Sequence, residues 1–191
     1  MGYAIAEAAC KQGAYVDIIA GDTKAVHNNY NISYANTSDE MYNQVTSNMY
    51  NYNIIIMAAA VTDYKVEHIS NKKIKKSSDK ISLELIKTKD ILHYLGHNKK
   101  EHQIIVGFAA ETNNVEEYAY KKLTSKKADI IAANDVSRDD IGFNADYNDM
   151  ILLFANGNKI LTGKKSKKAI AEIIVKESIL LYERKHNMEY K

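Results

Sequence analysis

Two periodicities divide the chain. From Met1 to Gln12 small and apolar residues dominate a stretch of high helix propensity, and Gly13 follows as a C-terminal stop. Residues 14–20 predict a strand, and a short second strand is expected at 31–35. Residues 38–50 predict a helix with Ser38 as its cap and Met41, Val45 and Met49 along one face. Residues 53–60 are continuously apolar, as in a parallel strand covered on both faces. Residues 81–87 alternate with period two and predict a half-exposed strand, followed by a helix at 90–98. A buried strand at 103–108, a polar-faced helix at 114–127 and a further strand at 129–133 continue the series. Residues 149–154 and 159–161 then flank Asn156-Gly157, a hairpin signal, and a last helix is expected over 166–182 behind Ser166.

Alternating helix and strand followed by a hairpin predicts an α/β fold: a doubly wound, mainly parallel Rossmann-like sheet with an antiparallel hairpin near the C-terminus. One domain is expected over 1–191, with no internal repeat and no flexible linker. In an open α/β sheet the first helix normally follows a strand and a glycine-rich turn. The expectation is therefore a domain that lacks this first element or receives it from elsewhere.

Composition narrows the function classes. Lys plus Arg number 26 against 24 Asp plus Glu, and a net charge of +2 does not suggest nucleic-acid binding. One cysteine, Cys10, rules out an internal disulfide; the chain reads as cytosolic, with Cys10 expected to pack inside its helix. No apolar run suits a membrane span, and no signal-peptide pattern opens the chain. Proline is absent, so Asn and Asp must carry most turns.

Ligands of such folds gather beyond the carboxyl ends of the strands. After the strand near 54–57 come Ala58, Ala59, Ala60 and then Asp63: a close backbone approach with a ribose- or phosphate-binding carboxylate, or a turn before the next element. Lys72, Lys73, Lys75, Lys76 and Lys80 crowd one polar stretch, either a solvated loop or a flap that closes over a polyphosphate. Phe108 stacks on a base or covers the core; Glu111 takes a cation or caps a helix. Lys122 and Lys126 lie one helical turn apart, on a solvated face or around an anion. Asn134 and Asp135 end a strand, where they orient a polar substrate or make a tight turn. Their clustering at successive strand ends supports an anionic nucleotide site without naming a reaction.

Five segments together resemble one family. They are Met1 to Ala8, Ala58 to Tyr64, Lys73-Ile74-Lys75-Lys76, Gly107 to Thr112, and Ala133-Asn134-Asp135-Val136 followed by Gly142-Phe143-Asn144. In this order and spacing they resemble phosphopantothenate–cysteine ligase, the synthetase half of the bacterial bifunctional coenzyme A biosynthesis flavoprotein. The resemblance implies that CTP activates a substrate carboxylate as an acyl-cytidylate, which the amine of cysteine then attacks. It implies Met57, Ala58, Ala59 and Asp63 around CTP, Lys73 on the triphosphate and in the flap, and Asp90, Ile91 and Leu92 on the cytosine side. It further implies Phe108 against the nucleotide, Lys122 and Lys126 on phosphates, and Asn134 and Asp135 beside the substrate. Magnesium, phosphopantothenate, cysteine and a homodimer come with the family, as does a flavin-dependent decarboxylase domain or subunit; no flavin is expected in this chain. The metal ligands are unassigned. Two departures stand out: Thr88-Lys89-Asp90-Ile91 replaces a proline-containing segment, and of the family's strand, glycine-rich turn and asparagine-bearing loop only Met1-Gly2 is found. A nucleotide-dependent oxidoreductase would need Gly-x-Gly-x-x-Gly after a first strand, and none occurs. A non-catalytic partner subunit is the second rival.

Overall fold

A computed structural model describes residues 1–21, 23, 30–70, 72–75, 80–137 and 146–189. Its elements in chain order are α1 (Gly2–Lys11), β1 (Asp17–Ala20), β2 (Asn31–Tyr34), α2 (Ser38–Asn48), β3 (Ile54–Met57), β4 (Tyr64–Val66), β5 (Leu85–Lys87) and α3 (Ile91–Asn98). They continue as β6 (Ile104–Glu111), α4 (Val115–Lys126), β7 (Ile130–Asp135), β8 (Tyr147–Asn148), β9 (Met150–Phe154), β10 (Lys159–Leu161), β11 (Lys165–Ser166) and α5 (Lys167–Glu189). A single 3-10 turn, Met49–Asn51, follows α2.

The central sheet has the order β10-β9-β7-β6-β3. Strands β3, β6 and β7 are parallel, and the β9–β10 hairpin adds an antiparallel edge. The apolar runs explain this, because both faces of β6 and β7 are buried. On one face Ile105, Ile131 and Ala133 pack with Met41 and Val45 of α2, Leu92 and Leu95 of α3 and Leu123 of α4. On the other, Val106, Ile130 and Ala132 pack with Ile5 and Ala8 of α1 and Ile170 and Ile174 of α5. Helices thus cover both faces, as the alternating sequence predicts.

Three small pairs stand outside this sheet: parallel β1–β2, antiparallel β4–β5 and antiparallel β8–β11. Strand β4 and the short β8 and β11 have no periodic signal long enough to read. The expected strand over 81–87 pairs only across Leu85–Lys87, and the last helix extends past 182 to Glu189.

Local chemistry sets the element ends. The N-cap of α2 is Thr37, one residue before the expected Ser38; its Oγ1 accepts from the Glu40 amide at 3.1 Å. Glu40 in turn accepts from the Asn36 amide at 2.7 Å, so the Thr–x–x–Glu spacing selects the cap. Gly13 adopts φ 82° behind α1, as its role as a stop requires. Cys10 is exposed, contrary to expectation: Ile5, Ala6 and Ala8 form the buried stripe of α1, and Cys10 lies round the helix from it.

At the amino ends of the parallel strands sits a buried ionic knot. Asp129 Oδ2 accepts from Lys99 Nζ at 2.6 Å and from the Ile105 amide at 2.8 Å, while its Oδ1 accepts from Lys185 Nζ at 2.7 Å. This carboxylate ties α3, β6, β7 and α5 together. Burial pushes the Lys99 ammonium below its usual range, against the pull of Asp129.

Candidate functional site

Of the predicted residues, Met57, Phe108, Asn134 and Asp135 lie on the parallel strands β3, β6 and β7. Parallel register sets Met57 beside Gly107, Ala110 beside Asn134, and Glu111 beside Asp135. Alternation then sorts the side chains between the faces. Phe108 packs on the α1–α5 side with Ala58 and Met1. It lies within β6 and covers the core, half-buried. Asn134 shares the parity of Ala132 and falls on that same face.

The opposite face carries the lysines. Lys122 Nζ donates to the Phe108 carbonyl at 2.9 Å, reaching from α4 to the strand end. One turn on, Lys126 Nζ meets Asp90 Oδ2 at 2.5 Å. Asp90 Oδ1 accepts from the His93 amide at 2.8 Å, so this carboxylate also caps α3. Burial alone would raise its pKa, but the bonds from Lys126 and the His93 amide prevail and hold the carboxyl below its usual range.

Two glycines allow this approach. A Cβ on Gly96 would stand 1.9 Å from the Lys126 carbonyl oxygen, so only glycine lets α3 and α4 come this close. A Cβ on Gly107 would meet Leu92 Cδ2 at 2.5 Å and Ile131 Cδ1 at 2.8 Å. Ile91 and Leu92, expected on the cytosine side, are buried in the core under α3 and act here as packing residues.

Asp63 joins the group through the backbone. Its carbonyl accepts from the Thr88 amide at 2.9 Å, and Thr88 Oγ1 donates to the Thr62 carbonyl at 2.6 Å. The exposed loop after β3 is thereby pinned two residues before Asp90. Lys126 pairs with Asp90 and Lys122 with the Phe108 carbonyl, while among the described residues Asp63 reaches only Thr88, through its backbone.

Asn134 is 8% exposed, and its side-chain amide meets no partner among the described residues. Asp135 Oδ1 accepts from the Ser137 amide at 2.9 Å and from Ser137 Oγ at 2.6 Å, which turns the chain away from the strand end. Lys73 is exposed, in the stretch between β4 and β5. Lys76 and Gly142-Phe143-Asn144 lie outside the described residues.

Two clefts lie elsewhere. One of about 270 Å³ is lined by Phe154, Glu177 and Arg184, and another of about 470 Å³ by Glu116, Tyr120 and Lys159. Both flank the turn after β9, whose start bonds to the Asp129 carbonyl, at the amino end of β7. Neither cleft is lined by the candidate residues. The sequence signals also missed Thr88 and Gly96, which carry no chemistry of their own and act only through tertiary contacts.

Layered helices on a parallel sheet, with lysines and carboxylates at its carboxyl ends, define an open α/β domain of the kind that binds ligands at strand tips. The family model described as the DNA/pantothenate metabolism flavoprotein C-terminal domain matches residues 1–181, and the chain belongs to that family. It is 44% identical over 185 residues to the coenzyme A biosynthesis bifunctional protein CoaBC of Haemophilus influenzae, covering 96% of this chain and 46% of the relative. Against the Escherichia coli K12 protein of the same name it is 36% identical over 193 residues, covering 97% and 47%. The chain thus spans about half the length of these relatives. A crystal structure of the C-terminal domain of CoaBC superposes with a TM-score of 0.75 at 32% identity, covering 100% of this chain and 83% of the other.

Proposed function

We propose that this domain joins phosphopantothenate to cysteine with CTP as the activating nucleotide, within coenzyme A synthesis. A carboxylate oxygen of phosphopantothenate attacks the α-phosphorus of CTP, and pyrophosphate leaves. The cysteine amine then attacks the acyl carbon of the cytidylate, CMP departs with the bonding pair, and the amine loses a proton. The protein's share is positioning and charge neutralisation.

The observation that carries this reading is the lysine pair. Lys122 and Lys126 project from one face of α4 toward the strand ends, and each is held by a single oxygen acceptor, Phe108 O and Asp90 Oδ2. An arriving phosphate exchanges for these acceptors without unpacking the helix. Met57, Ala58 and Ala59 supply a low wall at the end of β3, and Asp63 a carboxylate for the ribose or the bridged phosphates. Lys73 closes from the flap onto the triphosphate. Asn134, buried and unpartnered, is suited to bind a polar group of the acyl intermediate, and Asp135 stiffens the turn beside it. Glu111 and Asp135, neighbours in register, would hold a magnesium ion bound with the triphosphate through their carboxylate oxygens, and it would supply charge neutralisation there.

A homodimer belongs to this proposal. The β4–β5 arm leaves Ile69, Ile81, Leu83 and Leu85 more than half exposed, and an isolated two-stranded ribbon is marginal in water. A second copy covering the arm stabilises it and brings a partner's flap near the strand ends. The flavin-dependent decarboxylase of the bifunctional relatives is the natural neighbour.

The test is pyrophosphate release from CTP by the purified protein with magnesium, phosphopantothenate and cysteine, alongside calorimetric titration with CTP and ATP. Saturable CTP binding that is lost in Lys122→Met/Lys126→Met is expected. Equal CTP affinity in that double variant would remove α4 from the site, and absence of CTP binding by the folded protein would overturn the proposal.

A further inference from the structure

Helix α3 has two unlike faces. Ile91, Leu92 and Leu95 are buried in the core, and Gly96 lies against the α4 backbone. That stripe leaves positions 93 and 97 on the outer face, and both are exposed histidines. At a spacing of four they project from one side of the helix, a turn apart. Their rings are stacked, with centres 3.9 Å apart and planes inclined by 26°. The nucleotide reading uses neither imidazole, because α3 serves that site through its cap, Asp90.

The hydrogen bonding of the pair determines which nitrogen is available. His97 Nδ1 lies 2.9 Å from the His93 carbonyl oxygen. A carbonyl can only accept, so Nδ1 carries the proton and donates. In the neutral ring the lone pair is then on Nε2. Metal-binding histidines are held in this way, one ring nitrogen donating to a carbonyl or carboxylate and the other left to the ion. The stack points in the same direction. Two imidazolium rings face to face repel, so close stacking keeps at least one ring neutral, and the neutral ring is the form that binds metals.

We propose that His93 and His97 form a two-nitrogen site for one divalent transition-metal ion of the zinc class on the outer face of α3, with water completing its coordination. An ion bound by nitrogen at about 2.0–2.1 Å bridges two donors up to about 4 Å apart. Rings with centres 3.9 Å apart need only turn about their side-chain bonds to converge on it. Four residues is also the spacing at which two histidines on one helix face hold zinc. Imidazole suits zinc, nickel and copper, whereas magnesium takes oxygen. The site therefore differs in chemistry from the magnesium proposed with the triphosphate. A bound ion links successive turns of α3 and stiffens the helix whose cap carboxylate faces Lys126.

The test is calorimetric titration of the untagged, chelator-treated chain with Zn²⁺ alone, at about pH 7.5, where free imidazole is mostly neutral. No nucleotide is present, so the outcome is independent of the ligase proposal. The expected result is a binding step of one ion per chain, weakened about tenfold or more by His93→Gln and equally by His97→Gln. Both positions are exposed, so the variants keep the fold. Amide hydrogen exchange along α3 should slow with Zn²⁺ and not with Mg²⁺. Equal Zn²⁺ affinity in both variants would overturn the proposal and place the ion elsewhere, as at exposed Glu67, His68 and Glu84, whose ligand atoms lie within 4.8 Å of one another. Loss in only one variant, equal competition by Mg²⁺ for that step, or no Zn²⁺ binding at all would also overturn it.

Discussion

Asn134 and Asp90 show how differently two polar residues at strand ends are used. Among the described residues the Asn134 side chain has no partner, so Asn134→Ala is expected to leave the thermal midpoint nearly unchanged while lowering CTP-dependent turnover. A large fall in stability would instead mark it as a structural residue. Asp90 holds both Lys126 and the α3 cap. Its lowered pKa means this contribution is complete above the ordinary carboxylate range and is lost as pH falls through the folded-state value, below 3.8. Asp90→Asn keeps the cap acceptor but removes the charge facing Lys126, so CTP binding should change more than stability does.

Tyr52 offers a spectroscopic check. Its bond to Asp17, with burial and the carboxylate's charge adding, raises the hydroxyl pKa from 10.0 to about 12. A group raised on folding stabilises below its unfolded value and loses that contribution as pH climbs through the folded one. The Tyr52–Asp17 bond should therefore weaken between pH 10 and about 12. Ultraviolet titration of the 14 tyrosines should show one late ionisation, absent in Tyr52→Phe. Lys73, exposed on its loop, is the opposite case: Lys73→Gln should weaken CTP use with little effect on stability, and unchanged CTP kinetics would remove it from the site.

At the scale of elements, close approach and buried charge decide the outcome. Gly96→Ala places a methyl against the Lys126 carbonyl, which belongs to the backbone and cannot swing aside. The expected cost is about 3 kcal/mol, the upper end for overpacking, read as a shifted urea midpoint together with weakened CTP binding. Asp129→Asn leaves Lys99 and Lys185 facing a neutral amide in a site where the carboxylate is 6% exposed. That should cost roughly 3–5 kcal/mol without touching the strand-end residues, so activity per folded molecule stays constant.

The element scale also shows where periodicity is readable. The 3.6-residue stripe of α2 and the apolar runs of β3, β6 and β7 are strong because each buries a repeating set. β4 and β5 bury almost nothing, and a strand without a core face has no period to detect. Leu83 and Ile81 alternate as a strand would, yet they run beyond the paired residues Leu85–Lys87, and the backbone bonding continues only as far as Glu67 N to Glu84 O. Cys10 went the other way: helix formation alone did not say which side of α1 would face α5.

For the whole molecule, the five-stranded sheet with helices on both faces brings Met57, Phe108, Asn134 and Asp135 onto three parallel strands, while Ile91 and Leu92 are buried in the core under α3. Among the described residues, the apolar side chains of the β4–β5 arm are exposed and β1 and β3 share no ladder. A concentration-dependent rise in thermal midpoint would be the mark of a second copy closing over the arm.

Which segments become helix or strand, and which polar residues end the parallel strands, is determined by local pattern and by the carboxyl-end rule for α/β sheets, so one sequence suffices. The face on which each polar residue emerges, the Lys126–Asp90 and Lys122–Phe108 contacts, and the glycine that permits them were decided only by tertiary structure. They depend on distances between residues far apart in the chain, which no short-range periodicity encodes.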